Sequence, residues 1–400
     1  MSNYILYSYN TLNAVYREGA YAGIVLAEIL PTLEQGDKAL VTRIVYGAIE
    51  HHEEFSYMLE KLCIKAPKAV IKVIIRLGMY IIKYMDSIPD YAAVNEVVEL
   101  TKTVGKKELA PFVNSLLKKF IAEKDNLPSG IQRICIDNNI PMWLANRYIK
   151  DYGYNMAVEL IGSKGSMLTH IRNNNRLITT ENLENILKKR NIDYKTTQCG
   201  FLIGSTDSIG DVLDSGKATV QALCSMLVCR ALTPDAIRGK ILDVCAAPGG
   251  KSIYLSELNP NASILALDIH AHRVELIKAY SSRMSAYNVT AEIYDSTYCN
   301  SEWMKRFDAV LVDAPCSGMG VRGSNPDIVL NKKESDIEAL AKLQLQLLSA
   351  ASKYVKAGGA LVYSTCTNIK QENVGVVTAF LSENLDFVLD GMNISEENNG

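Results

Sequence analysis

From residue 236 onward two hydrophobic periods alternate, and no other feature limits the possible folds so sharply. Short apolar runs, Lys240–Val244, Ser263–Leu267, Thr290–Tyr294, Asp308–Val312 and Gly359–Tyr363, read as strands buried on both faces. Between them lie helical spacings such as Ile337, Leu340, Ala341, Leu345 and Leu348. Strand–helix alternation predicts a parallel sheet covered by helices on both sides. In such sheets ligands bind beyond the carboxyl ends of the strands.

The first third of the chain has only the helical period. Leu40, Val41, Ile44, Val45, Ala48 and Ile49 share one stripe, as do Leu109, Phe112, Val113, Leu116, Leu117 and Phe120. Residues 1–127 are therefore expected to form a helical bundle, closed by the turn-rich Asp125–Gly130. Residues 128–215 carry a weaker, mixed pattern, in which Ile140-Pro141-Met142-Trp143-Leu144 opens an amphipathic helix. The polar run Ile171–Arg176 reads as a solvated loop, with an RNA contact as the alternative. Residues 216–400 complete a third domain.

Composition narrows the function classes. At 48% hydrophobic and 22% charged residues, 400 residues can build ordinary cores. A net charge of −2 gives no global basic signature, so a nucleic-acid partner needs a local patch. The first residues lack a signal-peptide pattern, and no apolar stretch is long enough to span a membrane. Nine cysteines without a secretory leader imply free thiols in a reducing cytoplasm. Cys224 and Cys229 are five apart and His270-Ala271-His272 is isolated, so no metal is expected.

The chemistry concentrates where strands end. The first strand runs into "ILDVCAAPGGKS", residues 241–252. A phosphate-binding loop would need glycine at position 245, and Cys245 stands there. What remains is Asp243, then Cys245, Ala246, Ala247, Pro248, Gly249, Gly250 and Lys251, small residues that let a ligand approach the backbone. The second strand ends in Asp268, at a distance from Gly249 that suits ribose hydroxyls. The third leads to Asp295 and the fourth to Asp313. Successive carboxylates repel pyrophosphate but suit sugar hydroxyls, an adenine amine and a cationic centre, the chemistry of S-adenosylmethionine.

Two of these strand ends also carry thiols. Cys316 follows Asp313 in "DAPCSG", and Cys366 sits in "YSTCT" after the fifth strand. A free cysteine is usually packed rather than reactive. In the doubly wound order, however, the fourth strand lies beside the first and the fifth, so both thiols should face the ligand loop. Two thiols and an aspartate beside a methyl donor suit a pyrimidine. A thiolate added to carbon 6 makes carbon 5 nucleophilic, and a base must then remove the carbon-5 hydrogen. A carboxyl such as Asp313 assists at ring nitrogen 3.

These motifs together resemble the RNA cytosine-5 methyltransferases. The helical third, with "LVTRIVYGAIEH", "IPDYAAVNEVVEL" and "FVNSLLKKF", resembles the antitermination factor NusB. The fusion is similar to the RsmB (Sun/Fmu) family of bacterial 16S ribosomal RNA methyltransferases. The resemblance implies an all-α NusB-like bundle for RNA or protein binding, a small α+β linking subdomain, and a Rossmann-like S-adenosylmethionine-dependent domain. It implies Cys366 as nucleophile and Cys316 as the group assisting release. Cys245 to Lys251, Asp268, Asp295 and Asp313 would line the cofactor and base pocket. A monomer acting on small-subunit ribosomal RNA is expected, with a non-catalytic RNA-binding assembly factor or a tRNA methyltransferase as alternatives. DNA cytosine methyltransferases use Pro-Cys-Gln, absent here.

Three departures stand out. The family usually has Gln-Asp-x-Ser-Ser where this chain has Gln221-Ala222-Leu223-Cys224-Ser225. After the fourth strand it is often strongly basic, whereas Val321–Pro326 keeps only Arg322. It ends with a further strand near Asp-Gly-Phe-Phe, so Asp386–Asp390 is expected as a sixth strand and the natural protein is expected to continue past Gly400.

Overall fold

The computed structural model describes residues 2–163, 168–323 and 325–390. The chain divides into two compact units, 1–165 with 319–334, and 166–318 with 335–400.

The first unit is helical: α1 (Asn3–Glu18), α2 (Ala22–Ile29), α3 (Gln35–Glu50), α4 (His52–Leu62), α5 (Ala69–Tyr84), α6 (Asp90–Thr103), α7 (Ala110–Glu123), α8 (Gly130–Asp137), α9 (Met142–Tyr152) and α10 (Tyr154–Gly162). Helix α5 is apolar nearly all round and supplies ten buried residues to the bundle core. Residues 319–334 pack into this unit. Asp327 is buried and accepts from the Ala22 backbone N–H at 2.8 Å, in the first turn of α2. Arg322 donates to the Leu160 and Ile161 carbonyls at 2.6 and 2.7 Å, where α10 ends. An acid at a helix start and a base at a helix end each complement the backbone dipole. The one arginine of this stretch is thus engaged by backbone carbonyls rather than held open for phosphate.

The second unit holds two sheets. The smaller is antiparallel, in the order β2-β3-β1-β4, from β1 (Thr169–Asn173), β2 (Tyr194–Thr197), β3 (Gly200–Ile203) and β4 (Ala218–Val220). Helices α11 (Thr180–Lys189) and α12 (Gly210–Asp214) accompany it. Then come α13 (Leu223–Leu232), β5 (Lys240–Asp243), α14 (Gly250–Leu258), β6 (Ser263–Asp268), α15 (Ala271–Arg283), β7 (Val289–Ile293), β8 (Phe307–Asp313), α16 (Glu334–Ser352), β9 (Val355–Ser364) and α17 (Val374–Glu383). The larger sheet is parallel, in the order β7-β6-β5-β8-β9. Ile241, Ala309 and Leu311 pack toward α13 and α14, whereas Leu242, Val310 and Val312 pack toward α16. Burial on both faces explains the unbroken apolar runs of β5, β6 and β8. The edge strands β7 and β9, also expected to be buried, are largely half-buried or exposed because each has a neighbour on one side only. No described helix is long and apolar enough to cross a membrane.

Two expectations are corrected here. Asp386–Asp390 is irregular, not a sixth strand. Leu385, Val388 and Leu389 are exposed, and Phe387 packs on the Phe380 ring of α17. The expected continuation past Gly400 lies outside the described residues.

The run Ile171–Arg176 is not a solvated loop. Ile171, Arg172 and Asn173 belong to β1, and Arg172 is 1% exposed. Its guanidinium meets both Glu257 carboxylate oxygens at 2.9 and 2.8 Å and lies over the Tyr254 ring. Arg176 donates to the Ser256 carbonyl and to Asn288. The arginines therefore fasten the small sheet to α14, and the polarity that looked solvent-facing is internal pairing.

Removing one partner of a buried ion pair leaves an uncompensated charge. Arg172→Met should therefore cost about 3–5 kcal/mol, and adding Glu257→Leu should recover part of it. Urea unfolding measures both. A single-variant cost below about 1 kcal/mol would mean that the pair does not hold this junction.

Candidate active site

The carboxyl ends of β5, β6, β8 and β9 bring most of the sequence-predicted residues to one edge. Asp243 ends β5 and is fully buried. One oxygen accepts from Ser252 Oγ at 2.6 Å, and the other has no hydrogen-bond partner. Burial pushes its carboxyl up to about 7.

The loop after β5 crosses the strand ends. Ala246 N–H donates to the Leu267 carbonyl of β6, and Gly249 N–H closes a turn onto the Ala246 carbonyl at 2.7 Å. Gly249 has φ 110°, where an L side chain is strained, and an added Cβ would lie 3.3 Å from Ile277 Cγ2. Helix α14 starts at Gly250, so its first-turn N–H groups point toward the loop. Ala246 is buried; Cys245 is half-buried. Burial, with Asp243 and Asp313 adding to it, raises the Cys245 thiol well above the ordinary value, so it is neutral packing in the loop wall.

Asp268 ends β6, and its Oδ1 accepts from His270 N–H at 2.9 Å. Asp295 lies two residues beyond the end of β7 and accepts from the Thr297 N–H and hydroxyl at 3.0 and 2.6 Å. Asp313 ends β8. Its two oxygens accept from Lys251 Nζ at 2.6 Å and from Ser364 Oγ at 2.7 Å. Burial works against the Lys251 charge, yet the Asp313 and Asp243 carboxylates hold its pKa above the ordinary lysine value.

The thiols meet. Cys316 Sγ and Cys366 Sγ are 3.2 Å apart, and Cys366 N–H donates to Cys316 Sγ at 3.3 Å. Cys366 is exposed and Cys316 half-buried. The hydrogen bond with Cys316 outweighs burial and the nearby Asp313 charge and lowers Cys366 to about 7. The same bond raises Cys316. One thiol is poised to ionise because the other keeps its proton.

Several contributors escaped the sequence reading. Ser364 holds Asp313, and Ser296, fully enclosed, donates to the Val244 carbonyl at 2.8 Å. Gln221 donates to the Gly250 carbonyl at 3.1 Å while Arg172 holds its other end at 2.7 Å. Its place in a recognisable Gln-containing segment was the available signal. The neighbouring Ala222 is the N-cap of α13 and offers no side-chain bond there. An aspartate would cap that helix, typically a gain of about 1 kcal/mol.

The residues fit S-adenosylmethionine on their own chemistry. The unpartnered, buried Asp243 oxygen seeks a donor, and Asp268 and Asp295 present acceptors to hydroxyl groups.

Comparison with known proteins agrees with this architecture. Residues 230–400 match the 16S rRNA methyltransferase RsmB/F family, and residues 4–122 match the NusB family. The probable ribosomal RNA small subunit methyltransferase B of Bacillus subtilis is 34% identical over 391 residues, covering 93% of this chain and 86% of that protein. The Shewanella oneidensis ribosomal RNA small subunit methyltransferase B is 30% identical, covering 94% and 89%. Among solved structures, PH0851 superposes with a TM-score of 0.80 at 22% identity, covering 96% of this chain and 90% of that one. A methyltransferase homolog protein from Pyrococcus horikoshii gives 0.55 at 27% identity, covering 62% and 81%. The chain therefore belongs to the ribosomal RNA small subunit methyltransferase B family, S-adenosylmethionine-dependent enzymes with a NusB-family domain ahead of a Rossmann-like methyltransferase domain.

Proposed function

We propose that this chain methylates carbon 5 of a cytosine in 16S ribosomal RNA through a covalent cysteine–cytosine intermediate. The observation that carries the reading is the approach of Cys316 and Cys366 to 3.2 Å at the ends of adjacent parallel strands, beside Asp313. A nucleophile and a second proton-transferring group are both needed by cytosine, whose carbon 5 is otherwise inert.

Cys366 is the proposed nucleophile, adding to carbon 6 as the thiolate. Asp313, steadied by Lys251 and Ser364, is proposed to hydrogen-bond a protonated ring nitrogen 3 and so ease that addition. When bound, S-adenosylmethionine supplies an electrophilic methyl group to carbon 5. Once Cys366 is bonded to carbon 6 and no longer a thiolate, Cys316 gives up its own proton to solvent. As the thiolate, directly or through a water, it then takes the carbon-5 proton, the C–H electron pair re-forms the 5,6 double bond, and Cys366 leaves as the thiolate. Asp268 is proposed to accept from the ribose hydroxyls, with Asp295, Asp243 and Cys245 through Lys251 forming the remaining wall. A target base in RNA must be unstacked to reach such a pocket. Residues 1–127 are proposed as the RNA- or protein-binding domain, 128–215 as the link and 216–400 as the catalytic domain.

Three outcomes test this. Asp268→Ala should weaken S-adenosylmethionine binding by about ten- to a hundredfold in calorimetry; unchanged affinity removes Asp268 from the site.

Alkylation of Cys366, followed by peptide mass, should have a midpoint near pH 7. In Cys316→Ala the S–H donor is gone, so the midpoint should move up toward the ordinary thiol value of about 8.5. No shift would mean that Cys316 does not stabilise the thiolate.

On 16S RNA, Cys366→Ala should neither methylate nor form a covalent complex. Cys316→Ala should complete addition and methyl transfer and then stall, giving a denaturant-stable band with labelled RNA. A band that requires Cys316 and survives loss of Cys366 reverses the two roles.

A further inference from the structure

Glu372 is fully buried, and none of the proposed chemistry uses it. It ends a short turn, Lys370–Glu372, between Cys366 and α17. Its Oε1 accepts from Ser317 N–H at 2.8 Å and from Gln344 Nε2 at 3.0 Å. Its Oε2 accepts from Ser317 Oγ at 2.6 Å. All three donors are neutral, and two belong to the residue directly after Cys316. The third, Gln344 Nε2 on α16, also donates to the Pro315 carbonyl at 3.0 Å, directly before Cys316. Ser317 Oγ lies 2.9 Å from Thr367 Oγ1, directly after Cys366. One enclosed carboxylate thus gathers both flanks of Cys316 and reaches the flank of Cys366.

The two thiols depend on this clamp unequally. Cys366 has supports of its own. Strand β9 is laddered up to Ser364, Asn373 Nδ2 donates to the Thr367 carbonyl at 2.8 Å, and Thr365 hydrogen-bonds Asn373. Cys316 lies three residues beyond β8, in a stretch without helix or strand. Its neighbours are tied mainly by Glu372 and by Gln344. A buried carboxylate is costly unless its oxygens are hydrogen-bonded, so its presence marks a geometry held at the expense of stability.

We propose that Glu372 is a positioning residue that holds Cys316 against Cys366, so that release of the methylated base, more than its capture, depends on it. This rests on the covalent reading above. Loosening the clamp lets Cys316 drift from the carbon-5 hydrogen while Cys366 stays supported. A displacement of about 1 Å can slow a proton transfer on the order of a hundredfold.

The test uses the full-length chain and 16S RNA, with Cys316→Ala alongside. Glu372→Ala should lower steady-state methylation about ten- to a hundredfold. Single-turnover methyl transfer and S-adenosylmethionine affinity should stay near wild type and the covalent band should accumulate, while the melting temperature falls because Ser317 and Gln344 lose their buried acceptor. Glu372→Gln keeps one carbonyl oxygen for Ser317 N–H, so it should restore part of the release rate. A loss of cofactor affinity, addition and thermal stability together, without a band, would reduce Glu372 to a folding role and overturn the proposal. Unchanged turnover would overturn it as well. If Glu372→Ala does not fold, Gln344→Leu loosens the same clamp from α16 and should accumulate the band; its absence counts against the proposal. Absence of a band in Cys316→Ala itself would overturn the covalent reading, and this inference with it.

Discussion

Strand β8 is hydrogen-bonded on both sides, and the whole site depends on where those two ladders stop. Asp243 lies level with Leu311 on one side, and Asp313 lies level with Ser364 on the other. In a parallel sheet all strands end on the same edge, so a single register fixes the ligand loop, the Asp313 carboxylate and both cysteines relative to one another. A slip of one residue would turn Asp313 and Ser364 to opposite faces. Because Ile241, Ala309 and Leu311 pack on one face and Leu242, Val310 and Val312 on the other, such a slip would expose or overpack two cores at once. The chemistry is therefore registered by hydrophobic packing some distance from it.

Much of this architecture was legible in the chain, because buried parallel strands write themselves as apolar runs. The five runs from Lys240 to Tyr363 correspond to β5, β6, β7, β8 and β9 within a few residues. Strand order follows from doubly wound topology, which places the Cys316 and Cys366 loops side by side. What escaped detection was pairing between polar groups far apart in sequence. Arg172 looked like solvent-facing polarity, since nothing near it announces Glu257, 85 residues away. Glu372 gave no signal either, because its partners Ser317 and Gln344 are 55 and 28 residues distant. The opposite error occurred at Asp386–Asp390. Its composition suits a strand, but strand formation is a property of a pair, and no described strand pairs with it.

The electrostatics of the edge pull in two directions. Asp243, Asp268, Asp295 and Asp313 suit a ligand with a cationic centre and hydroxyl groups, but the same negative field opposes a thiolate. Asp313 raises the Cys366 pKa while Lys251 lowers it. Lys251 bonds Asp313 directly, so it offsets the nearest carboxylate rather than the thiolate alone. The largest stabilisation comes from the hydrogen bond with Cys316. This explains why two thiols, rather than a thiol and a carboxylate, stand at this point. A second thiol donates a hydrogen bond without adding charge in the resting state, and a carboxylate at position 316 would raise Cys366 further.

The same reasoning accounts for the placement of Glu372. In the proposed mechanism a negative charge is tolerable near Cys316, which keeps its proton until a base has been captured, and harmful near Cys366, which loses its own first. The structure joins Glu372 to the Cys316 flank through Ser317 N–H, Ser317 Oγ and Gln344, and to the Cys366 flank only through the Ser317–Thr367 contact. Its three neutral donors hold the carboxylate without a cation that would also draw down the Cys316 thiol. Order around Cys316 is therefore obtained through hydrogen bonds made by its neighbours Pro315 and Ser317, and order around Cys366 with backbone ladders and the Asn373 amide. The two identical side chains 3.2 Å apart are thus held by different supports.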